Sequence, residues 1–112
     1  MPLVLPNEGL PDWLDWTIRH TGSDPPDLIA ALFVNDLTPD AGTVFADMIA
    51  ASFGGFYPLA LTRAGWTVPV VFLDVVVSTW GSVPHTWTAT SGGQTVYGWF
   101  AWNPDTMRLQ IA

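Results

Sequence analysis

Short apolar runs divide most of the chain, and their spacing is the feature that most restricts its fold. After residue 27 the runs are separated by clusters of glycine, proline, asparagine, aspartate and serine. Apolar runs of this length between turn residues are typical of the strands of a sandwich or barrel. The sequence predicts strands over Leu28–Asn35, Phe56–Thr62, Val70–Ser78, His85–Thr90, Thr95–Asn103 and Met107–Ile111, and leaves Val44–Ser52 open between a short helix and a strand.

The turn residues add local detail to this set of strands. Ser91-Gly92-Gly93 predicts a hairpin turn between two strands, and Asn103-Pro104-Asp105-Thr106 predicts a turn before the last one. Pro58 indicates an edge position for its strand, because proline cannot donate a hydrogen bond to a neighbour.

One helix is predicted before the strands, from Asn7 to His20. Asn7 can cap its start, and Gly22 with the turn-rich residues after it can end it. One apolar stripe at helical spacing consists of Leu10, Trp13, Leu14, Thr17 and Ile18. The fold class predicted for residues 1–112 is therefore a single, mainly β domain, an antiparallel, jelly-roll-like sandwich over about 28–112 with one N-terminal α-helix over about 7–20.

Several predicted strands are apolar on both sides. Successive side chains of a strand point to opposite faces, so a strand with one face in water alternates apolar and polar residues. His85–Thr90 and Met107–Ile111 alternate in this way, but Leu28–Val34, Val70–Val77 and Thr95–Asn103 do not. The helix can cover part of the extra apolar surface, and a neighbouring subunit can cover the rest.

The composition favours assembly and disfavours two other classes of partner. Apolar residues make up 49% of the chain and charged residues 12%, against about 25% charged in typical soluble domains. Three arginines, no lysine and a net charge of −7 disfavour nucleic acids and anionic membrane surfaces. The sequence contains no cysteine, shows no signal-peptide pattern, and has no apolar run long enough to span a bilayer.

Residues with catalytic or metal-binding chemistry are few, and we expect no enzyme activity and no cofactor. His20 and His85 lie in no catalytic motif. Asp74 interrupts an apolar run, which favours a structural ion pair with Arg63 or Arg108, or a bulge. A calcium site is a possible use of four residues with side-chain oxygens: Asn35, Asp36, Asp40 and Asp47. Their spacing matches no calcium-binding loop, and turns use the same residue types.

Seven tryptophans in so short a chain also need an explanation. Tryptophan fills cores, anchors protein interfaces and can stack on sugar rings. We expect Trp87 to belong to the core, and because Trp99 and Trp102 point to opposite faces, one of them should lie outside it. The candidate residues for a partner interface are Trp13, Trp16, Trp66, Trp80, Trp99 and Trp102; Trp66, Trp80 and Trp99 would serve the alternative, a carbohydrate-binding sandwich. A small hydrolase is the least favoured possibility.

Four segments, in order along the chain, resemble small structural proteins encoded in tailed-phage genomes. Leu5-Pro6-Asn7-Glu8-Gly9 is similar to their I-P-N-x-G opening, and Leu32 to Pro39 (LFVNDLTP) is similar to their L-F-x-N-x-x-T-P segment. Ala51 to Phe56 (ASFGGF) resembles A-T-F-x-G-Y, and Tyr97-Gly98-Trp99-Phe100 resembles Y-G-Y-F.

The resemblance implies a virion component, assembled in the host cytoplasm, that decorates or cements a capsid or belongs to the tail. It implies a jelly-roll sandwich, a homo-oligomer that is most often a trimer, a phage capsid or tail protein as partner, and no catalytic residues. The chain departs from that pattern because it ends soon after the Tyr97–Phe100 segment.

Overall fold

A four-stranded antiparallel sheet forms the centre of the protein in a computed structural model, which describes residues 4–19, 26–67, 69–73, 75–78, 80–81 and 85–112. The strands are β1 (Leu28–Phe33), β2 (Leu59–Leu61), β3 (Val70–Phe72), β4 (Val75–Val77), β5 (Gly98–Asn103) and β6 (Arg108–Ile111). The main sheet has the order β2-β1-β5-β6, and β3 and β4 form a separate two-stranded antiparallel sheet. The prediction of a mainly β fold is confirmed at this level.

The predicted N-terminal helix is also confirmed, but its geometry changes along its length. It begins as a 3₁₀ turn, Asn7–Gly9, continues as the α-helix α1, Leu10–Leu14, and widens into a π-helical turn, Asp15–Arg19. Two further 3₁₀ turns are Phe45–Asp47 and Arg63–Gly65, so the ambiguous segment 44–52 starts as a short helical turn. The helix end predicted at His20 and the stop predicted at Gly22 lie outside the described residues. Among the helices of the described residues, none is long and apolar enough to cross a membrane.

The main sheet is buried on both faces by the chain itself. One face carries a core cluster of Ala31, Phe33, Phe100 and Leu109, against which side chains of the segment between β1 and β2, including Phe45, pack. The opposite face carries Leu28, Ala30, Leu61 and Ala101, and Trp13 and Trp16 of the helical segment pack against it. At the core of β1 and β5 the chain itself covers both faces, because the intervening loop covers one face and the helical segment the other.

The helix faces the sheet with a stripe that shares only Trp13 with the predicted one. Gly9 and Asp12 are buried, and Trp13 and Trp16 complete a buried stripe at helical spacing. Leu10, Leu14 and Ile18 are exposed instead, Leu14 by 56% and Ile18 by 74%. The two stripes overlap in the sequence, and bulky tryptophan side chains bury more area against the sheet than leucine does.

Both edges of the main sheet are protected. At the β6 edge, Val4 and Ala112 exchange backbone hydrogen bonds of 2.7 and 3.1 Å, and the Glu8 carboxylate accepts the N–H of Leu109 at 2.7 Å. The other edge is β2, only three residues long, which follows Pro58 as the sequence predicts. Short or covered edges prevent uncontrolled pairing with other chains.

Two strand predictions are wrong. Residues 70–78 form a hairpin, because Phe72 pairs with Val75 and the chain reverses between them; Asp74 itself lies outside the described residues. Residues 85–90 form no strand and do not pair with residues 95–103, so the hairpin predicted at Ser91-Gly92-Gly93 is absent from this described segment. The 85–90 segment instead meets Gly54, which accepts from Thr90 at 2.8 Å and donates to Ser91 at 2.9 Å.

Leu109 in the core and Leu14 on the exposed side of the helix give a direct test of how the helix is oriented on the sheet. Replacing the fully buried Leu109 by alanine should lower the free energy of unfolding by about 2–5 kcal/mol, because it leaves a cavity in the core. Leu14→Ala, the same change on the exposed side of the helix, should alter it by less than about 0.5 kcal/mol. Urea denaturation of both variants measures the difference, and a large loss for Leu14→Ala would contradict the orientation of the helix.

Candidate interaction surfaces

The buried carboxylate of Asp12 fixes the helix to the β5–β6 end of the sheet. Asp12 is only 7% exposed, and its Oδ1 pairs with the guanidinium of Arg108 at 3.2 Å. Its Oδ2 accepts three hydrogen bonds, from Asn103 Nδ2 at 3.1 Å, Thr106 Oγ1 at 2.8 Å and Gln110 Nε2 at 2.7 Å. A buried carboxylate is tolerated when its acceptor sites are used in this way.

Two neighbours of Asp12 set how closely the helix approaches the sheet. A Cβ atom on Gly9 would overlap the carbonyl oxygen of Leu109, so only glycine allows the backbone to lie this close to β6. The Glu8 Oε2 atom accepts the N–H groups of both Phe45 and Leu109 at 2.7 Å. Glu8 thereby ties the helix start to the covering loop and to the sheet.

This docking leaves an apolar surface on the outside of the helical segment. The outer helix face, defined here as Leu10, Leu14 and Ile18, has all three side chains exposed. Their spacing of four residues places them along one side of the segment. An aligned row of exposed aliphatic side chains on one helix side is a candidate surface for docking another protein.

A cleft of about 450 Å³ opens on the other side of the helix, between the helical segment and the sheet. The tryptophan cleft is lined mainly by Trp13, Trp16, Leu28, Leu61, Trp66 and Ile111, with Arg63, Thr17 and Ser78 among its remaining residues. The rings of Trp13 and Trp16 meet edge to face, with centroids 5.2 Å apart. A lining this rich in apolar and aromatic groups is suited to an apolar or ring-shaped ligand group.

The structure brings together some of the predicted interface tryptophans and separates others. Trp66 and Trp80 form an isolated bridge, and Trp80 donates its indole N–H to the Thr62 carbonyl at 2.9 Å. Trp102 stacks on Phe100 in the core. Trp99 is 37% exposed and lies opposite Leu32 in the sheet. Leu32 is four residues along β1 from Leu28, which lines the cleft, so Trp99 lies about 13 Å from the cleft at about 3.3 Å per residue.

Trp99 is thus the member of the Trp99–Trp102 pair that lies outside the core, as expected. Trp13, Trp16, Trp66 and Trp80 are partly buried against the sheet. Trp66, Trp80 and Trp99 therefore do not form one continuous platform for a sugar chain.

The β3–β4 hairpin, residues 70–77, is the second exposed apolar surface. Val70 is 56% exposed and Val71 74% exposed, although adjacent strand residues point to opposite faces. Leu73 at the tip is 81% exposed and has a positive φ of 49°, a backbone region that leucine rarely adopts. Val70 and Val71, which face opposite sides of β3, are therefore both more than half exposed.

The described histidine belongs to an aromatic cluster. His85 Nε2 lies 3.2 Å from the Tyr57 hydroxyl, and its ring meets Trp87 edge to face at 4.4 Å. Trp87 donates its indole N–H to the Tyr57 carbonyl at 2.7 Å. These contacts fasten segment 85–87 to residue 57; His20 lies outside the described residues.

Three of the four residues considered for calcium hold backbone groups of the segment between β1 and β2. Each oxygen atom accepts a backbone N–H: Asn35 Oδ1 from Ile49 at 3.1 Å, Asp40 Oδ1 from Gly42 at 2.8 Å and Asp47 Oδ2 from Val44 at 3.0 Å. Over the described ranges no group of three or more histidine, aspartate and glutamate residues could hold a metal ion. The turn interpretation accounts for Asp40 and Asp47, whereas Asn35 joins two distant parts of the loop.

Sequence reasoning missed the residues that position the helix. From the sequence, Glu8 and Asp12 are simply acidic residues near the start of a helix. Their partners in β6 lie about 100 positions away in the chain, so no local pattern indicates these contacts. The signal present in the sequence was the second helical stripe, Gly9, Asp12, Trp13 and Trp16. Asp74, expected to pair with Arg63 or Arg108 or to form a bulge, lies outside the described residues. Arg108 pairs with Asp12 instead.

No protein-family model, curated protein or solved structure matches this chain.

Removing the Asp12 carboxylate should destabilise the whole domain. Asp12→Ala leaves the buried amide of Asn103 without its acceptor and the amide of Gln110 with only the longer bond to the Arg108 carbonyl at 3.3 Å. At about 1–3 kcal/mol for each weakened donor, we expect a loss of roughly 2–5 kcal/mol in the free energy of unfolding. Asp36→Ala, the same change at an exposed carboxylate, should cost less than about 0.5 kcal/mol. Equal effects in urea denaturation would show that the Asp12 network is not what holds the helix.

Proposed function

We propose that the protein is a non-enzymatic structural component of a tailed-phage particle, most simply a capsid decoration or cement protein. It binds copies of itself and a capsid or tail protein through exposed apolar and aromatic side chains. The observation that carries this proposal is the outer helix face, whose aliphatic residues remain exposed although tryptophans beside them are packed against the sheet.

Three features support the proposal together. A chain with only 12% charged residues exposes aligned aliphatic side chains on the helix and on the hairpin, and such surfaces mark protein interaction sites. The carboxylates of Glu8, Asp12, Asp40 and Asp47 hold backbone or side-chain groups in place, which is a structural use. The resemblance of four segments, in order along the chain, to phage structural proteins is the reason for proposing a phage particle as the assembly.

The proposal also includes the detailed fold, the oligomeric state and the location of the protein. They are a jelly-roll-like sandwich, a homo-oligomer that is most often a trimer, and a place in the virion after assembly in the host cytoplasm. The net charge of −7 favours a protein partner over nucleic acid.

A carbohydrate-binding module is the second candidate, favoured by the tryptophan cleft. Trp13, Trp16 and Trp66 meet there, and Trp13 has a buried indole N–H without a hydrogen-bond partner in the described part of the chain. Indole rings stack on sugar faces, although the Trp13 N–H itself is too deeply buried to meet a ligand hydroxyl. A glycan array separates the candidates, and no bound glycan for the unmodified protein would remove this one.

The outer helix face gives the sharpest test of the first candidate. The double variant L14S/I18S should bind a capsid or tail protein encoded beside its gene at least about tenfold more weakly, because burying each aliphatic side chain is worth about 1.5–3 kcal/mol. Cosedimentation of the purified protein with assembled shells or tail tubes measures the binding.

Ile49→Ser is the matched control, since Ile49 is 58% exposed and lies in the loop. Its binding should equal that of the unmodified protein. If the unmodified protein binds neither shells nor tails and is a monomer in light scattering at high concentration, the proposal fails.

A further inference from the structure

The aromatic side chains that line the tryptophan cleft are held in place by contacts within the chain. Trp13 and Trp16 pack against the sheet, and their rings meet edge to face. Trp66 forms a bridge with Trp80, whose indole N–H is bonded to the Thr62 carbonyl at 2.9 Å. The lining is therefore formed before any ligand arrives, as in most small-molecule sites.

The helical segment changes its geometry where it reaches the cleft. Trp16 and Thr17 both line the cleft, and both lie in the π-helical turn Asp15–Arg19. Single π turns are rare in proteins and occur frequently at functional sites. This turn is a second observation, separate from the composition of the lining, that marks this end of the helical segment as a site.

The polar groups of the cleft are few. Among the described lining residues only Arg63 is charged, and the Asp27 carboxylate, which accepts the Arg63 backbone N–H at 3.1 Å, lies beside it. The side-chain hydroxyls are those of Thr17 and Ser78, and Ser78 Oγ donates to the Thr67 carbonyl at 2.7 Å. A sugar would bury several hydroxyl groups here with few partners, which is costly, and a net charge of −7 repels an anion.

We propose that the tryptophan cleft is a binding site for one uncharged, apolar aromatic molecule of two or three rings. The size of the ligand follows from the volume of about 450 Å³, since a closed apolar cavity of about 150 Å³ holds one benzene ring. The aromatic character follows from the lining, because indole rings meet other rings edge to face or offset. This site is additional to the proposed assembly function and makes no use of the outer helix face.

N-phenyl-1-naphthylamine, an uncharged three-ring compound whose fluorescence rises in apolar surroundings, is a suitable probe. Titration into the dilute full chain should give saturable binding of one molecule per chain. Trp66→Ala removes part of the lining and should weaken binding about tenfold or more. Trp99→Ala removes the same side chain outside the cleft and should change the dissociation constant by less than about twofold.

A second pair of variants keeps the test decisive if Trp66→Ala does not fold. Thr17→Phe adds volume to an exposed lining position and should also weaken binding about tenfold or more, because it occupies space that the probe needs. Thr38→Phe makes the same change at an exposed position of the loop on the opposite face of the sheet and should leave binding within about twofold. Circular dichroism shows which variants keep the main sheet.

Weakening by at least one folded cleft variant, while its matched control binds normally, supports the site. The absence of saturable binding overturns it, as does binding that the folded cleft variants leave unchanged or that the controls weaken equally. A glycan that binds, and is lost with Trp66→Ala, while the probe does not bind would replace the apolar ligand by a sugar. Because the titration uses neither shells nor tails, none of these results decides the proposed assembly function.

Discussion

The carboxylate of Asp12 is the contact on which the rest of the architecture depends. It joins the helical segment to the β5–β6 hairpin through four polar partners, and Gly9 allows the close approach that this requires. A buried polar network stabilises a fold only when its members are paired, because each unpaired buried group raises the free energy of the folded state. It therefore fixes one orientation of the helix, where apolar packing alone would tolerate several.

That orientation decides which apolar residues are used for folding and which remain available. With Asp12 turned toward the sheet, Trp13 and Trp16 pack against the face containing Leu28 and Ala101, and Leu14 is left outside. The other face is closed by the loop after β1, which Glu8 ties to the helix start. The main sheet is thus complete within one chain, and the exposed apolar residues of the helix and the hairpin are additional to it.

Periodicity and turn residues predicted much of this fold. β1, β5, β6 and the turn at 103–106 lie within the segments predicted for them, because their patterns are local. The hairpin at 70–77 could not be separated from one long strand, since the apolar residues continue on both sides of the reversal. Segment 85–90 alternates as a strand would, yet only Trp87 of the segment is partly buried, and Thr90 pairs with Gly54 instead of a strand.

The candidate surfaces were harder to predict for a different physical reason. Two overlapping stripes on the helix have the right spacing to face the sheet, and the choice between them depends on the partners of Asp12, Asn103 and Gln110, which are close only after folding. The tryptophans were recognised as candidates from their number. Their division between core, cleft and exposed surface follows from tertiary contacts that no local pattern contains.

Hydrogen exchange on the dilute, unassembled protein tests most directly the claim that the main sheet is complete within one chain while the hairpin is not. Amides of β1 and β5 should exchange slowly, with protection near the global free energy of unfolding, and amides of β3 should exchange fast. Rapid exchange throughout β1 and β5 under these conditions would contradict the account, because it would mean that the central sheet needs a partner to be stable.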